Sequence, residues 1–254
     1  MSLPRTPSFR LDGRRALIAG ASSGIGLAAA VALAEQGAHV TLCARRAVEL
    51  AGLVEDLRAE GFAAQALPLD ITDTKATEVA LAALPAFDIL VNSAGGARHS
   101  PAIETTPEDF DFATNLNLRA AYFLTRAVAA RLIAEGKPGS LINITSQMAH
   151  VGGIDRAVYS ATKHAVEGMT KSMAIEWGKH GIRVNTIAPT FIRTALTAAT
   201  FANPERAAWI ASKIKLGRVG EVTDIMGAVA FLASDAASLI TGTSLLIDGG
   251  WTAD

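Results

Sequence analysis

Ala16-Leu17-Ile18-Ala19-Gly20-Ala21-Ser22-Ser23-Gly24-Ile25-Gly26 decides the fold of this chain. Ala16–Ala19 reads as a short strand buried on both faces. Three glycines follow, and then an alanine-rich helical pattern from Ile25 to Gln36. A strand, a glycine turn and a helix N-terminus make a phosphate cradle. The glycines admit a pyrophosphate close to the backbone, and the free N–H groups and helix dipole favour the anion. The spacing is GxxxGxG, so Gly20, Ser22, Ser23, Gly24, Ile25 and Gly26 are candidate cofactor contacts. A plain glycine turn between strand and helix is the competing interpretation.

Outward from this unit, apolar runs and helical patterns alternate, which argues for parallel βαβ units. Strands are expected at Ala16–Ala19, Val40–Cys43, Ala64–Leu69, Ile89–Val91, Ser140–Ile144, Arg183–Ile187 and Ser244–Ile247. Helices are expected at Ile25–Gln36, Val48–Glu60, Thr74–Leu84, Pro107–Glu135, Ala157–His180 and Val222–Ala233. Residues 1–10 read as a flexible tail and 11–254 as one α/β domain without repeat or linker. The 254 residues, 50% hydrophobic, can bury a large core in one unit. A formal charge of −1 gives no electrostatic reason to expect nucleic acid or an anionic membrane. No apolar stretch is long enough to span a bilayer, and the first ten residues lack the apolar run of a secretory signal. Cytoplasmic residence is the expectation. The single cysteine, Cys43, falls in an expected strand and reads as a core residue.

Chemistry concentrates in the second half. Tyr159 and Lys163 are four residues apart on an expected helix, and Ser146 lies thirteen residues upstream. A free phenol has a pKa of about 10, and an ammonium one turn away favours the phenolate. Ser146 at a strand end would then hold a substrate oxygen while Tyr159 moves the proton.

The glycine pattern, Asn92-Ser93-Ala94-Gly95, Ser146, Tyr159-x-x-x-Lys163 and Pro189 stand in the order and spacing of the short-chain dehydrogenase/reductase family, which this chain resembles from about Leu11 to Gly250. The resemblance implies a Rossmann-type doubly wound parallel sheet of seven strands, ordered 3-2-1-4-5-6-7, with helices on both faces. It implies a catalytic group of Asn117, Ser146, Tyr159 and Lys163, with Asn117 supporting a water-based relay and Lys163 also bonding the nicotinamide ribose. Asn117 is chosen over Asn115 by the match of residues 117–123 to the family pattern. Asn92, Ala94 and Gly95 would line the cofactor at the edge of the fourth strand. Pro189-Thr190-Phe191-Ile192-Arg193-Thr194 resembles the loop that receives the nicotinamide carboxamide, with Ile192 and Thr194 as contacts.

Cofactor choice turns on the end of the second strand. Ala44 stands where an acid would select NAD, and Arg45 and Arg46 follow it. Guanidinium groups there suit a 2′-phosphate, so NADP(H) is expected, with NAD(H) possible. Asp70, with Ile71, resembles the family's adenine contact or else caps the next turn beside Thr72 and Asp73. Thr194–Lys215 breaks the βα rhythm and corresponds to the family's substrate lid, or else a surface excursion. Gly96, Ala97, His99, Met148, His150, Gly152, Gly153 and Ile154 are candidates to line the substrate pocket.

The expected substrate is a small polar carbonyl or alcohol, a sugar or polyol, and Asp248-Gly249-Gly250-Trp251 points the same way. A 3-oxoacyl-(acyl-carrier-protein) reductase is the alternative, lowered because Ile175 replaces the basic residue such relatives carry. A non-catalytic dinucleotide-binding regulator is the rival of another class. The outer faces of Pro107–Glu135 and Ala157–His180 carry the family's four-helix interfaces, which predicts a homotetramer.

Overall fold

The computed structural model describes residues 3–253. Seven parallel strands form one sheet in the order β3-β2-β1-β4-β5-β6-β7, as the resemblance implied. They are β1 (Arg15–Ala19), β2 (His39–Ala44), β3 (Ala64–Pro68), β4 (Ile89–Asn92), β5 (Gly139–Ile144), β6 (Ile182–Pro189) and β7 (Ser244–Ile247). Register runs without slip through the centre, with Leu17 opposite Leu90 and Leu90 opposite Leu141. Apart from Arg15 at the start of β1, these central strands are buried throughout, which is why they read as continuous apolar runs rather than alternating ones.

The helices divide between the two faces. On one face α1 (Gly24–Glu35), α2 (Ala47–Ala59) and α9 (Thr223–Ala233) cover Ile18, Val91 and Ile142 with Leu33, Leu50 and Val229. On the other, α3 (Thr74–Ala82), α5 (Ala121–Ala134) and α6 (Ala157–Trp177) cover Leu17, Leu90 and Leu141 with Leu81, Leu124, Val128 and Met173. Cys43 is fully buried in the second core. Burial drives its thiol pKa up to about 12, so it is inert at neutral pH.

Three expectations change. Pro107–Glu135 is not one regular helix: α4 (Pro107–Thr114) runs through a π-helical turn, Asn115–Ala120, before α5. Thr194–Lys215, where no helix was expected, holds a 3-10 turn at Ala195–Thr197, then α7 (Ala198–Phe201) and α8 (Pro204–Lys213). Asn203 caps α8 by accepting from Arg206 N at 3.0 Å, and Pro204 opens it. Helix α6 stops at Trp177, and a 3-10 turn completes the span to His180 before Gly181 reverses the chain at φ 74°. Near the N-terminus, Phe9 packs on Phe231 at 6.3 Å and Arg10 Nη1 donates to Glu35 O at 3.1 Å. Residues 1 and 2 of the expected tail lie outside the described residues.

Candidate active site

Strand order reverses direction beside β1, whose neighbours are β2 and β4. In open α/β sheets that switch point opens a crevice at the carboxyl ends of the strands. The loops after β1 and β4 meet there. Ser93 N donates to Ala19 O at 2.9 Å, and a Cβ on Gly20 would stand 2.7 Å from Ala94 N. Gly20 also holds φ at 77°. At Gly26 a Cβ would lie 2.2 Å from Gly20 O, so the turn closes on itself only with glycine. Ser23 starts α1 without a side-chain cap, and no acidic residue occupies the first turn. The first N–H groups of α1 are therefore free of an intrachain anion, which is the chemistry a pyrophosphate fits. Ile25 packs partly into the core rather than offering a side-chain contact.

At the end of β2, Arg45 and Arg46 are exposed. Arg46 Nη2 donates to Ser22 Oγ at 3.0 Å, so the arginine reaches back over the glycine turn, and its Nη1 lies 3.4 Å from Glu49. Arg45 forms no ion pair among the described residues. Asp70 accepts from Thr72 N at 3.0 Å and Thr72 Oγ1 at 2.7 Å, making the turn itself, while Asp73 caps α3 by accepting from Ala76 N. Ile71 is buried in the core, which leaves only its backbone for a ligand. This set of glycine turn, uncapped helix and basic strand end fits a dinucleotide carrying a 2′-phosphate.

After β4, Asn92 Oδ1 accepts from Ala94 N at 3.2 Å and its Nδ2 donates to Asn143 Oδ1 at 3.1 Å, shaping the loop that carries Ala94 and Gly95. After β6, Pro189 is buried and Thr190 N donates to Ile247 O. Ile192 turns its side chain into the core, bridged to Gly220. Thr194 alone of the expected carboxamide contacts faces the glycine turn, its Cγ2 3.2 Å from where a Cβ on Gly24 would stand.

Helix α6 and β5 bring the proposed proton-transfer residues together. Ser146 follows β5 and its Oγ accepts from Met148 N at 3.1 Å, which fixes the hydroxyl at the crevice. The same hydroxyl bonds to Tyr159 and favours its phenolate. Lys163 is buried one turn further on, its Nζ donating to Ile144 O at 2.9 Å and lying 5.7 Å from the Tyr159 ring centroid. Asn117 is also buried. Its Oδ1 accepts from Gly96 N at 2.9 Å, and its Nδ2 donates to Gly96 O at 2.8 Å. A Cβ on Gly95 would sit 3.2 Å from Asn117 Oδ1 and 3.7 Å from Lys163 Nζ, so the two side chains flank one point. The π-helical turn is what carries Asn117 inward while Asn115 stays exposed.

The electrostatics differ from the simplest sequence argument. Burial, not a neighbour, is the largest influence on Tyr159 and pushes its pKa up. The Ser146 hydrogen bond and the Arg156 charge act against that, whereas Lys163 is not among the causes. Lys163 itself is brought down to about 8 by burial, with Glu167 opposing the fall. Arg156 and Glu167 were not singled out from the sequence. Their positions three residues before Tyr159 and four after Lys163 place them on the same helix face, a usable signal. Of the pocket candidates, His99 meets the Tyr159 ring edge-on, with centroids 5.8 Å apart at 82°. Met148 is buried, and Gly153 packs close against it and Arg156. His150 turns away to Ser244 Oγ at 2.9 Å.

A sheet of this order, carrying this serine, tyrosine, lysine and asparagine at one crevice, defines the short-chain dehydrogenase/reductase class of enzyme. The chain belongs to that family. Residues 20–252 match the family model described as enoyl-(acyl carrier protein) reductase. D-erythrulose reductase from Gallus gallus is 40% identical over 245 residues, spanning 96% of this chain and 98% of that protein. Gluconate 5-dehydrogenase from Gluconobacter oxydans is 39% identical over 248 residues, 96% of each. The solved structure of a gluconate 5-dehydrogenase from Burkholderia cenocepacia, in complex with NADP and tartrate, superposes with a TM-score of 0.94 at 38% identity, covering 97% of this chain and 98% of that one.

Proposed function

We propose that this enzyme interconverts a ketone and a secondary alcohol on a small polyhydroxylated substrate, with NADP(H) as cofactor and Tyr159 as the proton donor and acceptor. The observation that carries it is the convergence of Tyr159, Ser146, Lys163 and Asn117 at one crevice with an uncapped helix N-terminus and the exposed Arg45. Bound NADPH supplies the hydride, and NADP⁺ accepts it in the oxidative direction. Gly20, Ser22, Ser23, Gly24 and Gly26 would hold its pyrophosphate, Arg45 and Arg46 its 2′-phosphate, and Thr194 with the backbone of Ile192 its nicotinamide end. The relatives' names support both halves: D-erythrulose reductase and gluconate 5-dehydrogenase act on sugar-like molecules, and the Burkholderia cenocepacia structure holds NADP.

In reduction, the Ser146 Oγ–H donates to the substrate carbonyl oxygen while Tyr159 delivers its proton to that oxygen. The phenolate left behind is stabilised by the Arg156 guanidinium, and by the Ser146 O–H once the product hydroxyl no longer accepts from it. Lys163 holds the proton that refills the site, and Asn117 fixes the Gly95–Gly96 backbone where a relay water would pass. Residues 194–215 act as the lid, since α7 and α8 carry Trp209 across to Trp251 at 5.5 Å. Ile175, 82% exposed, offers an apolar surface where an acidic carrier protein needs a cation, so a free sugar is favoured over an acyl-carrier substrate.

The test is a panel of ketoses, polyols, sugar acids and acyl thioesters with NADPH or NADH side by side, run on the wild type and on Tyr159→Phe. We expect turnover on polyhydroxylated carbonyls only, and a loss of at least about 10²-fold in the variant with NADPH binding retained. A fully active Tyr159→Phe enzyme would remove the tyrosine from its role. Tight NADPH binding with no turnover on any substrate would favour a regulator.

A further inference from the structure

His150, a pocket candidate in the sequence, turns towards β7 instead, and its side chain stays 31% exposed. Its Nε2 lies 2.9 Å from Ser244 Oγ on β7 and 3.8 Å from Glu167 Oε1 on α6. Ser244 Oγ in turn donates to Glu167 Oε1 at 3.0 Å. The buried Glu167 also accepts from Thr145 Oγ1 at 2.7 Å and from Thr186 Oγ1 at 2.8 Å. One carboxylate thus gathers side chains from β6, from β7 and from both ends of the turn after β5.

The direction of these hydrogen bonds follows from the protons present. A serine hydroxyl has one hydrogen, and Ser244 commits it to Glu167. The contact with His150 therefore requires Nε2 to donate, so the carboxylate, acting through Ser244, selects that tautomer. Thr145 and His150 flank Ser146, one immediately before it and the other four residues after. The chain between them is held closely. Ser146 Oγ accepts from Met148 N at 3.1 Å, Ala149 N donates to Ser146 O at 2.8 Å, and His150 N donates to Gln147 O at 2.9 Å. Gln147, Met148 and Ala149 are buried. A short hydrogen-bonded turn fastened at both ends restricts where its first side chain can lie. The bond from Met148 N takes one lone pair of the Ser146 hydroxyl and leaves its hydrogen for the crevice.

We propose that His150 is a positioning residue: by donating through Nε2 to the Ser244–Glu167 pair, it clamps the far end of the turn and so fixes the Ser146 hydroxyl against the substrate carbonyl. This rests on the carbonyl–alcohol function proposed above. His150 acts through Ser146 rather than on the substrate, and no bond to it forms or breaks during the reaction. The near end of the turn is held independently, since Thr145 N donates to Ile187 O at 2.8 Å, so loss of the imidazole frees the far end first. Met148 N then drifts from Ser146 Oγ, and the hydroxyl gains rotamers that miss the carbonyl. A reacting group displaced by about 1 Å costs rate more than affinity.

The experiment measures kcat and KM for NADPH-dependent reduction of a four-carbon ketose and of a six-carbon keto-aldonate. It compares the wild type with His150→Ala, His150→Gln, His150→Met, Ser146→Ala and the double variant Ser146→Ala/His150→Ala. NADPH binding by fluorescence and thermal melts are followed in each. His150→Ala should lower kcat about 10-fold, with KM and the NADPH Kd within about twofold of the wild type. Glutamine places an N–H donor at nearly the reach of Nε2, so His150→Gln should recover most of that loss. Methionine has the length without the donor, so His150→Met should behave like His150→Ala. In the Ser146→Ala background the histidine change should cost nothing further, because the hydroxyl it serves is gone. If His150→Ala fails to fold, His150→Met keeps the bulk and carries the same comparisons. An unchanged kcat overturns the clamp, as does a glutamine that recovers no more than methionine. So does a histidine loss repeated in full without the Ser146 hydroxyl. A loss confined to KM overturns it differently, by making His150 a substrate contact. In each of those cases Ser146→Ala still lowers turnover and carbonyl reduction stands. A wild type without turnover on any carbonyl, or a Ser146→Ala enzyme at full rate, removes the function proposed above and the clamp with it.

Discussion

Glu167→Gln tests the electrostatics of the site with almost no change of shape. The Glu167 carboxylate is buried one helical turn beyond Lys163. It accepts from Thr145 Oγ1 at 2.7 Å, Thr186 Oγ1 at 2.8 Å and Ser244 Oγ at 3.0 Å. Three hydroxyl donors mark an ionised carboxylate. The charged or titratable groups around it are Lys163 on its own helix and His150 from the turn after β5, whose Nε2 stands 3.8 Å away. Burial has already brought Lys163 down to about 8, and Glu167 is what keeps it from falling further.

An opposite charge nearby is worth about one to three pKa units. The three hydroxyls spread the Glu167 charge, so the lower end applies, about one unit or about 1.4 kcal/mol. A lysine whose pKa is lowered loses its proton sooner as pH rises. The alkaline limb of kcat/KM should therefore move from near 8 towards about 7 in Glu167→Gln. At pH 8 the protonated fraction drops about fivefold, whereas at pH 6 both proteins keep it almost whole. Rates are measured from pH 5.5 to 9 at fixed ionic strength, with thermal melts to check folding. An activity lowered equally at every pH, with the alkaline limb unmoved, would show that Glu167 only packs the site and would refute the counter-ion argument.

Two further outcomes bear on the cofactor and the assembly. Arg45→Ala should raise the Kd for NADPH about 10- to 100-fold, the worth of a charge-assisted hydrogen bond, and leave NADH nearly untouched. Titration with each dinucleotide decides it, and equal weakening of both would undo the 2′-phosphate assignment. The exposed Phe110, Tyr122 and Ile175 lie on α4, α5 and α6, the helices expected to pair between subunits. Light scattering at micromolar concentration should return four times the 26.3 kDa chain mass, and a monomer would remove the tetramer.

The sheet was legible because its strands are buried on both faces, so Leu17-Ile18 and Leu141-Ile142 read as unbroken apolar runs with turn signals on either side. The candidate site was legible where the proposed chemistry would fix residue type and spacing, as at Gly20, Ser146, Tyr159 and Lys163. The π-helical turn was not. Asn115-Leu116-Asn117-Leu118 continues an ordinary helical pattern, and what widens the turn is tertiary: Asn117 bonds both backbone groups of Gly96, 21 residues away. Helix α8 was missed although Asn203-Pro204 is a helix start, because the segment after it is largely polar or small and only Ile210 is buried. Glu167 carried the right spacing from Lys163, but its burial depends on Thr145, Thr186 and Ser244, from a loop and two strands that only the fold brings together.

That division has a physical basis. A proton-transfer residue is defined by its own chemistry, so its identity survives in the sequence. Its working pKa is set by whatever the fold packs around it. Tyr159 and Lys163 look like a self-sufficient pair at four-residue spacing, yet burial raises one and lowers the other, against the direction either needs. The opposing charges come from outside the pair: Arg156 favours the Tyr159 phenolate, and Glu167 the Lys163 ammonium. Glu167 lies on α6 and Arg156 at its N-cap, three residues before Tyr159, so one helix and its cap carry the proposed reacting groups and the charges that favour their working states. A helix that shifted as a unit would keep this tuning intact, whereas a change at either end would detune the chemistry without touching Tyr159 or Lys163.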